Sequence, residues 1–172
     1  MVIEQVALLS NEAHVDERGY FRRVFDREAI SKYVELEFLQ ASVSFNTKAG
    51  TLRGMHFQAH PSKEWKLVTC LKGRIFDCLV DVRHTSRTYG NIETFELSEE
   101  GGLSLLIPPG VAHGFQTLVD DTYVYYQMTD THRPELSRRL LWNDSTLKLP
   151  WPKRVSNLSP LDATGESWPV MY

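Results

Sequence analysis

The chain has 172 residues, a mass of 19.8 kDa and a formal net charge of −3, so we expect one domain, residues 1–172, with a single sizeable core. Its 19 basic and 22 acidic residues leave no excess of positive charge, which argues against nucleic acid as a partner. No apolar run approaches the ~20 residues of a membrane helix, and no basic region precedes Glu4, so neither a membrane span nor a secretory signal is predicted. We therefore expect a cytoplasmic protein in which Cys70 and Cys78 stay reduced and act as small buried hydrophobes.

Short apolar segments, bounded by turns rich in Gly, Pro and Asp, predict an all-β domain. One short helix is predicted over Asp26–Val34, with Asp26 as its N-cap and Ile30, Tyr33 and Val34 on one apolar face. Because no crossover helices separate the strands, a parallel α/β fold is excluded, and a sandwich, a jelly roll or a small barrel remains. The predicted strands are Val2–Leu8, Tyr20–Val24, Phe38–Phe45, Thr51–Phe57, Trp65–Leu71, Ile75–Arg83, Ile92–Leu97, Ser104–Ile107, Ala112–Leu118 and Tyr123–Thr129.

Two features of this pattern bear on where a ligand could bind. The strand Ile75–Arg83 has one apolar face, whereas its other face carries Asp77 and Asp81. A half-charged face on so apolar a strand fits either a ligand-lined interior or a solvated surface, and the alternation leaves both open. The segment from His132 onward is too rich in Leu and Trp for a disordered linker, so it is predicted to be an ordered tail wrapped on the domain.

The segment Leu52–Gln58 carries the first candidate for chemistry, His56. Simple alternation would place Arg53 on the opposite face, but a bulge at Gly54 would let Arg53 and His56 point the same way. Lys66 and Asp77 also interrupt apolar runs, and buried charge is costly unless it is paired or used. The group is therefore a candidate site, although Arg53 or Lys66 alone would more simply belong to a solvated strand face.

Two further aromatic and imidazole side chains have open roles. Tyr126 alternates with Val124 and Met128, which places it in the interior either as a structural aromatic or as a proton donor. His113 is either a structural imidazole or part of the same site. A metal site is not predicted, because Gln58 follows His56 where a second His would be needed and no set of three ligands is visible.

Several segments in chain order, between Asp16 and Asp162, resemble the dTDP-4-dehydrorhamnose 3,5-epimerase family, a branch of the cupin jelly rolls. Any one segment is a weak signal, whereas the ordered series is specific and covers most of the chain. The segments that carry the resemblance are Asp16–Gly19, Leu52–Gln58, Lys66–Val68, Val80–Arg83, Ile107–Phe115, Trp142–Asp144 and Leu158–Asp162.

The resemblance implies an all-β, double-stranded β-helix (cupin jelly roll) with short peripheral helices, assembled as a homodimer, with no metal and no other cofactor. Its substrate would be a nucleotide-diphosphate 4-keto-6-deoxy sugar, inverted at C3, C5 or both. His56 would be the general base with Asp162 as its partner, Tyr126 the general acid and Lys66 a catalytic cation. N-terminal residues would reach into the partner subunit's site. The substrate-binding residues that the resemblance implies are Arg18, Gln40, Arg53, His113 and Asp77.

These residue types suit the chemistry of a 4-keto sugar, in which the protons on C3 and C5 are both α to the carbonyl. Histidine ordinarily titrates near neutral pH and suits the base, while a carboxylate orients it and stabilises its cation. Lys66 would stabilise the enolate oxygen, and Tyr126 would return a proton on the opposite face of the ring. The guanidinium groups of Arg18 and Arg53 suit the diphosphate, because they bind phosphate oxygens in a bidentate way.

The sequence departs from the family around this core, which leaves the nucleotide base, the sugar and the number of inverted centres open. One alternative is a sugar-nucleotide 3,4-ketoisomerase, or a single-centre epimerase acting on a different nucleotide. An alternative of another class is a non-catalytic or metal-dependent cupin. The departures lie at Arg23, Ser42, Thr131, His132, Ser137 and Leu161.

Overall fold

The computed structural model describes residues 1–170, and strands and turns make up most of this part of the chain. A single-turn helix α1 (Arg27–Ser31) lies between the third and fourth strands, and 3₁₀ helices cover Pro134–Leu136 and Asp162–Thr164. The all-β prediction is confirmed. The strands are β1 (Ala7–Ser10), β2 (Ala13–Asp16), β3 (Gly19–Arg22), β4 (Gln40–Asn46), β5 (Leu52–Gln58), β6 (Lys66–Lys72), β7 (Arg74–Asp81), β8 (Ile92–Ser98), β9 (Leu103–Ile107), β10 (Val111–Thr117), β11 (Thr122–Met128) and β12 (Ser137–Arg139).

Two five-stranded antiparallel sheets face each other. The first sheet has the order β1-β9-β6-β11-β4, and the second sheet has the order β12-β5-β10-β7-β8. The chain passes repeatedly from one sheet to the other, since β5 and β7 belong to the second sheet whereas β6 between them belongs to the first. This arrangement is typical of a jelly roll. Strands β2 and β3 form a separate two-stranded hairpin.

Side chains pack on the inner and outer faces of each sheet, although Val43, Phe45 and Tyr123 of the first sheet remain exposed. The core between the sheets includes Val68 and Val124 from the first sheet and Leu79 and Phe115 from the second. Helix α1 packs its buried Ile30 on the outer face of the first sheet. The outer face of the second sheet is covered by the C-terminal tail, whose members in this cluster are Leu140, Leu147, Leu149, Trp151, Trp168 and Val170. The prediction of an ordered, wrapped tail is confirmed.

Strand β7 is therefore buried on both faces, and the interpretation of a solvated face is wrong. Asp77 lies on the face that looks toward the first sheet, and its side chain is fully buried. Asp81 does not line an interior ligand site, because its buried carboxylate accepts hydrogen bonds from Arg83 Nε (2.9 Å), Ser86 Oγ (2.7 Å) and Thr88 Oγ1 (2.6 Å). Burial acts to raise the pKa of Asp81, but these hydrogen bonds outweigh it and hold that pKa below its usual range.

The predicted first strand, Val2–Leu8, is wrong for most of its length. Residues 3–5 form a bend and turn, and the backbone N–H groups of Val2 and Ile3 donate to the Glu93 carboxylate instead of a sheet neighbour. Ile3 and Val6 are nevertheless buried, so their apolar character reflects packing of a turn rather than of a strand. Strand β1 begins only at Ala7.

The predicted helix is correct at its start and too long at its end. Asp26 caps it by accepting from the N–H groups of Glu28 and Ala29, as expected for an N-cap. The helix ends at Ser31, so Tyr33 lies beyond it and is 57% exposed. Strands β2 and β12 were not predicted, because both are short and none of their side chains is buried, so a hydrophobic pattern does not reveal them.

Both cysteines are free and buried, which confirms their interpretation as small core residues. Burial raises the pKa of the Cys70 thiol to about 12, so this group stays protonated and unreactive at neutral pH. Within residues 1–170, every helix is too short or too polar to cross a membrane.

Candidate active site

A bulge in β5 turns two functional side chains to the same side of the second sheet. His113 of β10 pairs with His56, and Phe115 pairs with Arg53, so β5 has one extra residue between these two pairs. Gly54 within the bulge has φ +127°, and a Cβ there would lie 2.5 Å from the Cα of Gly114. Only glycine fits this position, and the bulge predicted from its presence is confirmed.

A cavity of about 710 Å³ lies between the two sheets at the end bounded by β12, β5 and β10 on one side and β4, β11 and β6 on the other. Charged and polar side chains make up much of the cavity wall, whereas the neighbouring core between the sheets is mainly apolar. The structure thus brings most of the predicted site residues together. The predicted residues that line the cavity are Gln40, Arg53, His56, Lys66, His113 and Tyr126.

His56 and Asp162 form a hydrogen-bonded pair at the cavity wall. Nε2 of His56 lies 2.6 Å from Oδ1 of Asp162, whose side chain is only 6% exposed whereas that of His56 is 40% exposed. Asp162 begins a 3₁₀ helix, and a hydrogen bond from its backbone N–H to Ser159 Oγ (3.0 Å) holds the start of that helix in place. With a proton on Nε2, the imidazole donates to the carboxylate, and Nδ1 is left as the basic atom.

The carboxylate of Asp162 stays ionised in this setting. Burial acts to raise its pKa, but the hydrogen bond and charge of His56, with donors from Ser159 and the Gly54 backbone, outweigh burial and lower that pKa. A charged, buried carboxylate behind an accessible imidazole can orient the ring and stabilise its cation. This is the arrangement that a histidine base requires.

A second histidine–carboxylate pair lies deeper. Nε2 of His113 is 2.9 Å from Oδ2 of Asp77, and both side chains are almost completely buried. Burial raises the pKa of Asp77, while the charge and hydrogen bond of His113 act against that rise. Asp77 is not among the residues that line the cavity, and its hydrogen bond to His113 connects it to the wall, so its direct contact with substrate stays a prediction.

Tyr126 faces the cavity from the opposite wall. It belongs to β11 of the first sheet, whereas His56 belongs to β5 of the second, and its ring meets that of His113 edge to face with centroids 6.2 Å apart. Burial raises the pKa of Tyr126 above its usual range, and the nearby Asp77 adds to the rise. The hydroxyl therefore keeps its proton at neutral pH and is available as a donor.

Three further predicted residues of the wall, Lys66, Arg53 and Gln40, have partners in the protein. Lys66 Nζ is 2.9 Å from Glu64 Oε2, and the two side chains are 17% and 9% exposed. Arg53 Nε donates to Asn46 Oδ1 (2.8 Å). Gln40 Oε1 accepts from the backbone N–H of His132 (3.2 Å).

Arg18 is not brought to the cavity of its own chain. It lies in the two-residue turn between β2 and β3, its side chain is 84% exposed, and it pairs with Asp16. The turn itself, Asp16-Glu17-Arg18-Gly19, is present as predicted. Tyr20 and Phe21 beside it are 50% and 71% exposed.

Two charged wall residues were missed in the sequence. Glu64 precedes β6 and pairs with Lys66, and Arg139 on β12 lies opposite His56 in the strand register. The alternation of Ser137 and Arg139 could have revealed the second of these, but only after β12 had been recognised as a strand. Among residues 1–170, no group of three or more His, Cys, Asp or Glu is arranged to hold a metal ion.

Comparison with known proteins identifies the family of this chain. A family model described as dTDP-4-dehydrorhamnose 3,5-epimerase matches residues 1–169. The chain belongs to the dTDP-4-dehydrorhamnose 3,5-epimerase family. A family member from Sinorhizobium fredii is 41% identical over 155 residues, which are 90% of this chain and 80% of that protein. The resemblance seen in the motifs is confirmed, and the chain is an epimerase.

Solved structures confirm the cupin jelly roll. The dTDP-4-dehydrorhamnose 3,5-epimerase of Bacillus anthracis, determined with TDP and PPi bound, has a TM-score of 0.90 and 35% identity, and the match covers 94% of this chain and 93% of that one. ChmJ of Streptomyces bikiniensis, a 3'-monoepimerase in complex with dTDP-quinovose, has a TM-score of 0.91 and 25% identity, with 97% and 85% of the two chains covered. Both epimerases share the two-sheet fold described above.

Proposed function

We propose that the chain epimerises a dTDP-linked 4-keto-6-deoxy sugar by proton removal and return next to the C4 carbonyl, with His56 as base and Tyr126 as acid. The observation that carries the proposal is the pairing of His56 with the buried, ionised Asp162 at the wall of the cavity. In this arrangement Nδ1 of His56 takes the proton from C3 or C5. Asp162 stabilises the imidazolium that forms.

The opposite wall supplies the returning proton. Inversion requires a donor on the face of the ring away from the base, and Tyr126 lies on the sheet that faces His56. Because burial keeps the Tyr126 hydroxyl protonated, it donates rather than abstracts at neutral pH. Proton removal on one face and return on the other inverts the carbon.

The enolate formed between these two steps needs a positive neighbour. Lys66 lines the same cavity, and its ammonium group is held in place by Glu64 before substrate arrives. A cation fixed in advance stabilises developing negative charge without reorganisation, so Lys66 is assigned to the enolate oxygen. Arg53 is assigned to the diphosphate, and Gln40 and His113 to further substrate contacts.

Arg18 acts in this proposal from a second copy of the chain. The β2–β3 hairpin presents Arg18 together with exposed Tyr20 and Phe21, which are expensive to leave in water. In a homodimer this hairpin would reach the partner's cavity and add a guanidinium for the diphosphate. Light scattering should then give about twice the 19.8 kDa of one chain. The cytoplasm is the expected compartment.

The second candidate is a single-centre epimerase of the same class of sugar. It is favoured by the similarity to ChmJ, a 3'-monoepimerase, which matches 97% of this chain. The two candidates differ only in whether one or both of C3 and C5 exchange their protons. The proposed base and acid are the same in each.

Incubation with a dTDP-4-keto-6-deoxyhexose in deuterium oxide, followed by NMR, tests both. We expect deuterium at C3 and C5 with inversion at both centres, whereas label at C3 alone would establish the single-centre candidate. His56→Ala should abolish exchange, and His84→Ala, which removes an exposed histidine that does not line the cavity, should not. Exchange that survives in His56→Ala would remove His56 from the role of base.

A further inference from the structure

We propose that Arg139 is a substrate-binding residue that holds the phosphate attached to C1 of the sugar. The proposal rests on the proposed function, because it takes the cavity beside His56 to contain the sugar ring. It adds a cation to the diphosphate site beyond Arg53 and Arg18. It also gives a role to the short edge strand β12.

The strand register places Arg139 next to the base. In the antiparallel pair of β12 and β5, Arg139 lies directly opposite His56. Residues directly opposite in such a pair project from the same face of the sheet with Cβ atoms ~5 Å apart. Both side chains line the cavity, so the guanidinium of Arg139 extends along the wall beside the imidazole.

The N–H groups of the Arg139 guanidinium are available as hydrogen-bond donors. Its Nε is buried 3.4 Å from Asp162 Oδ1 but makes no hydrogen bond, and within residues 1–170 nothing accepts a hydrogen bond from the rest of the group. The other cations of the wall are engaged, since Arg53 donates to Asn46 and Lys66 pairs with Glu64. Among the described residues, Arg139 is thus the wall cation that makes no hydrogen bond, and its one ionic neighbour is Asp162.

The path that the bound substrate follows out of the cavity indicates that the ligand of Arg139 is a phosphate. The ring must lie between His56 and Tyr126, which occupy opposite walls. Strands β12 and β4 are edge strands of the two sheets and both line the cavity, so the rest of the nucleotide passes along that edge. The first charged group beyond the ring is the phosphate on C1, and a guanidinium with free donors binds phosphate oxygens in a bidentate way.

Binding of ligands that cannot react tests the proposal apart from catalysis. Calorimetry with a dTDP-hexose lacking the 4-keto group, with dTDP, with dTMP and with thymidine should compare unmodified protein with Arg139→Gln and Arg139→Lys. Loss of a charge-assisted phosphate contact should weaken dTDP-hexose and dTDP about 10- to 100-fold in Arg139→Gln. Thymidine and dTMP, which lack that phosphate, should bind almost as before, and Arg139→Lys should recover part of the loss.

Arg138→Gln is the matched control. It removes the same charge from the neighbouring position of β12, where the side chain donates to the carbonyls of Glu135 and Ser137 and does not line the cavity. An affinity of Arg139→Gln for dTDP equal to that of Arg138→Gln would overturn the proposal. Equal weakening of thymidine and dTDP would also overturn it, because the effect would then be on the fold or the base.

The kinetics of Arg139→Gln test the phosphate assignment independently of the binding measurements. A phosphate contact made before and during the reaction predicts a raised KM with kcat little changed. An unchanged KM with a lower kcat and an altered pH–rate profile would instead show that Arg139 acts through Asp162, and would refute the phosphate assignment. Should His56→Ala keep its exchange activity, the proposed base would fail, yet the binding results would still decide the role of Arg139.

Discussion

Replacement of Asp162 by Asn removes one charge from the His56–Asp162 pair while keeping the shape of the side chain. The carboxylate oxygen lies 2.6 Å from His56 Nε2, and it is buried and ionised in the free protein. The amide still accepts a hydrogen bond from Nε2 through its oxygen. In the proposed mechanism it no longer stabilises the imidazolium that forms when His56 takes a proton from the sugar.

The size of the effect follows from the separation of the charges. Two unit charges with centres about 4 Å apart interact by about 4 kcal/mol at an effective dielectric constant near 20. If the proton is roughly half transferred in the transition state, Asp162→Asn forfeits about 2 kcal/mol and slows proton removal about 30-fold. An amide that turns its NH₂ group toward Nε2 would fix the other tautomer and slow the reaction further.

Deuterium incorporation at C3 and C5, measured by NMR under conditions that saturate the protein with substrate, reports this step directly. The control is Asp120→Asn, which removes a carboxylate that pairs with Lys48 on the exposed surface. Thermal denaturation should show both variants folded. Exchange by folded Asp162→Asn within about threefold of the control would refute the electrostatic role, because less than 1 kcal/mol would then depend on the charge.

Three further variants probe the acid, a structural carboxylate and the bulge. Tyr126→Phe should keep deuterium exchange but lower inversion at least about tenfold, as measured by the product ratio in NMR, and equal loss of both would contradict its role as acid. Asp81→Asn should cost about 3 kcal/mol in urea unfolding at pH 7. The native pKa of Asp81 is lowered, so the difference in unfolding free energy between the unmodified protein and Asp81→Asn should narrow as the pH falls below about 4 and the carboxylate takes up its proton. A difference that does not change with pH would contradict this. Gly54→Ala should destabilise the protein by about 2 kcal/mol more than Gly19→Ala, because both glycines have positive φ but a Cβ would meet backbone only at Gly54. Equal unfolding free energies of the two variants would refute the close approach of Gly54 to Gly114.

The central strands could be predicted because alternation and turn residues act locally. Every strand from β4 to β11 lies within two residues of its predicted bounds. The errors fall where pairing or packing with distant residues decides the structure. Residues 2–6 owe their position to Glu93, and β12 is a strand only because Leu52–Gln58 is available to pair with it.

The site was predictable in part for the same reason. Gly54 signals the bulge locally, so the shared orientation of Arg53 and His56 could be anticipated. The partner of His56 lies 106 positions away, and only the family resemblance pointed to Asp162. Arg139 could not be found before β12 was recognised, since a three-residue polar strand has no hydrophobic period.

The position of Asp162 in the tail makes the His56–Asp162 pair depend on the packing of the tail against the second sheet. Every strand of both sheets precedes this residue, so a nascent chain could close its jelly roll and expose His56 while the carboxylate was still undocked. Such an intermediate could hold the nucleotide sugar yet abstract protons slowly. Docking of the tail on the second sheet would then control activity, because full turnover would require the tail to be in its native packing.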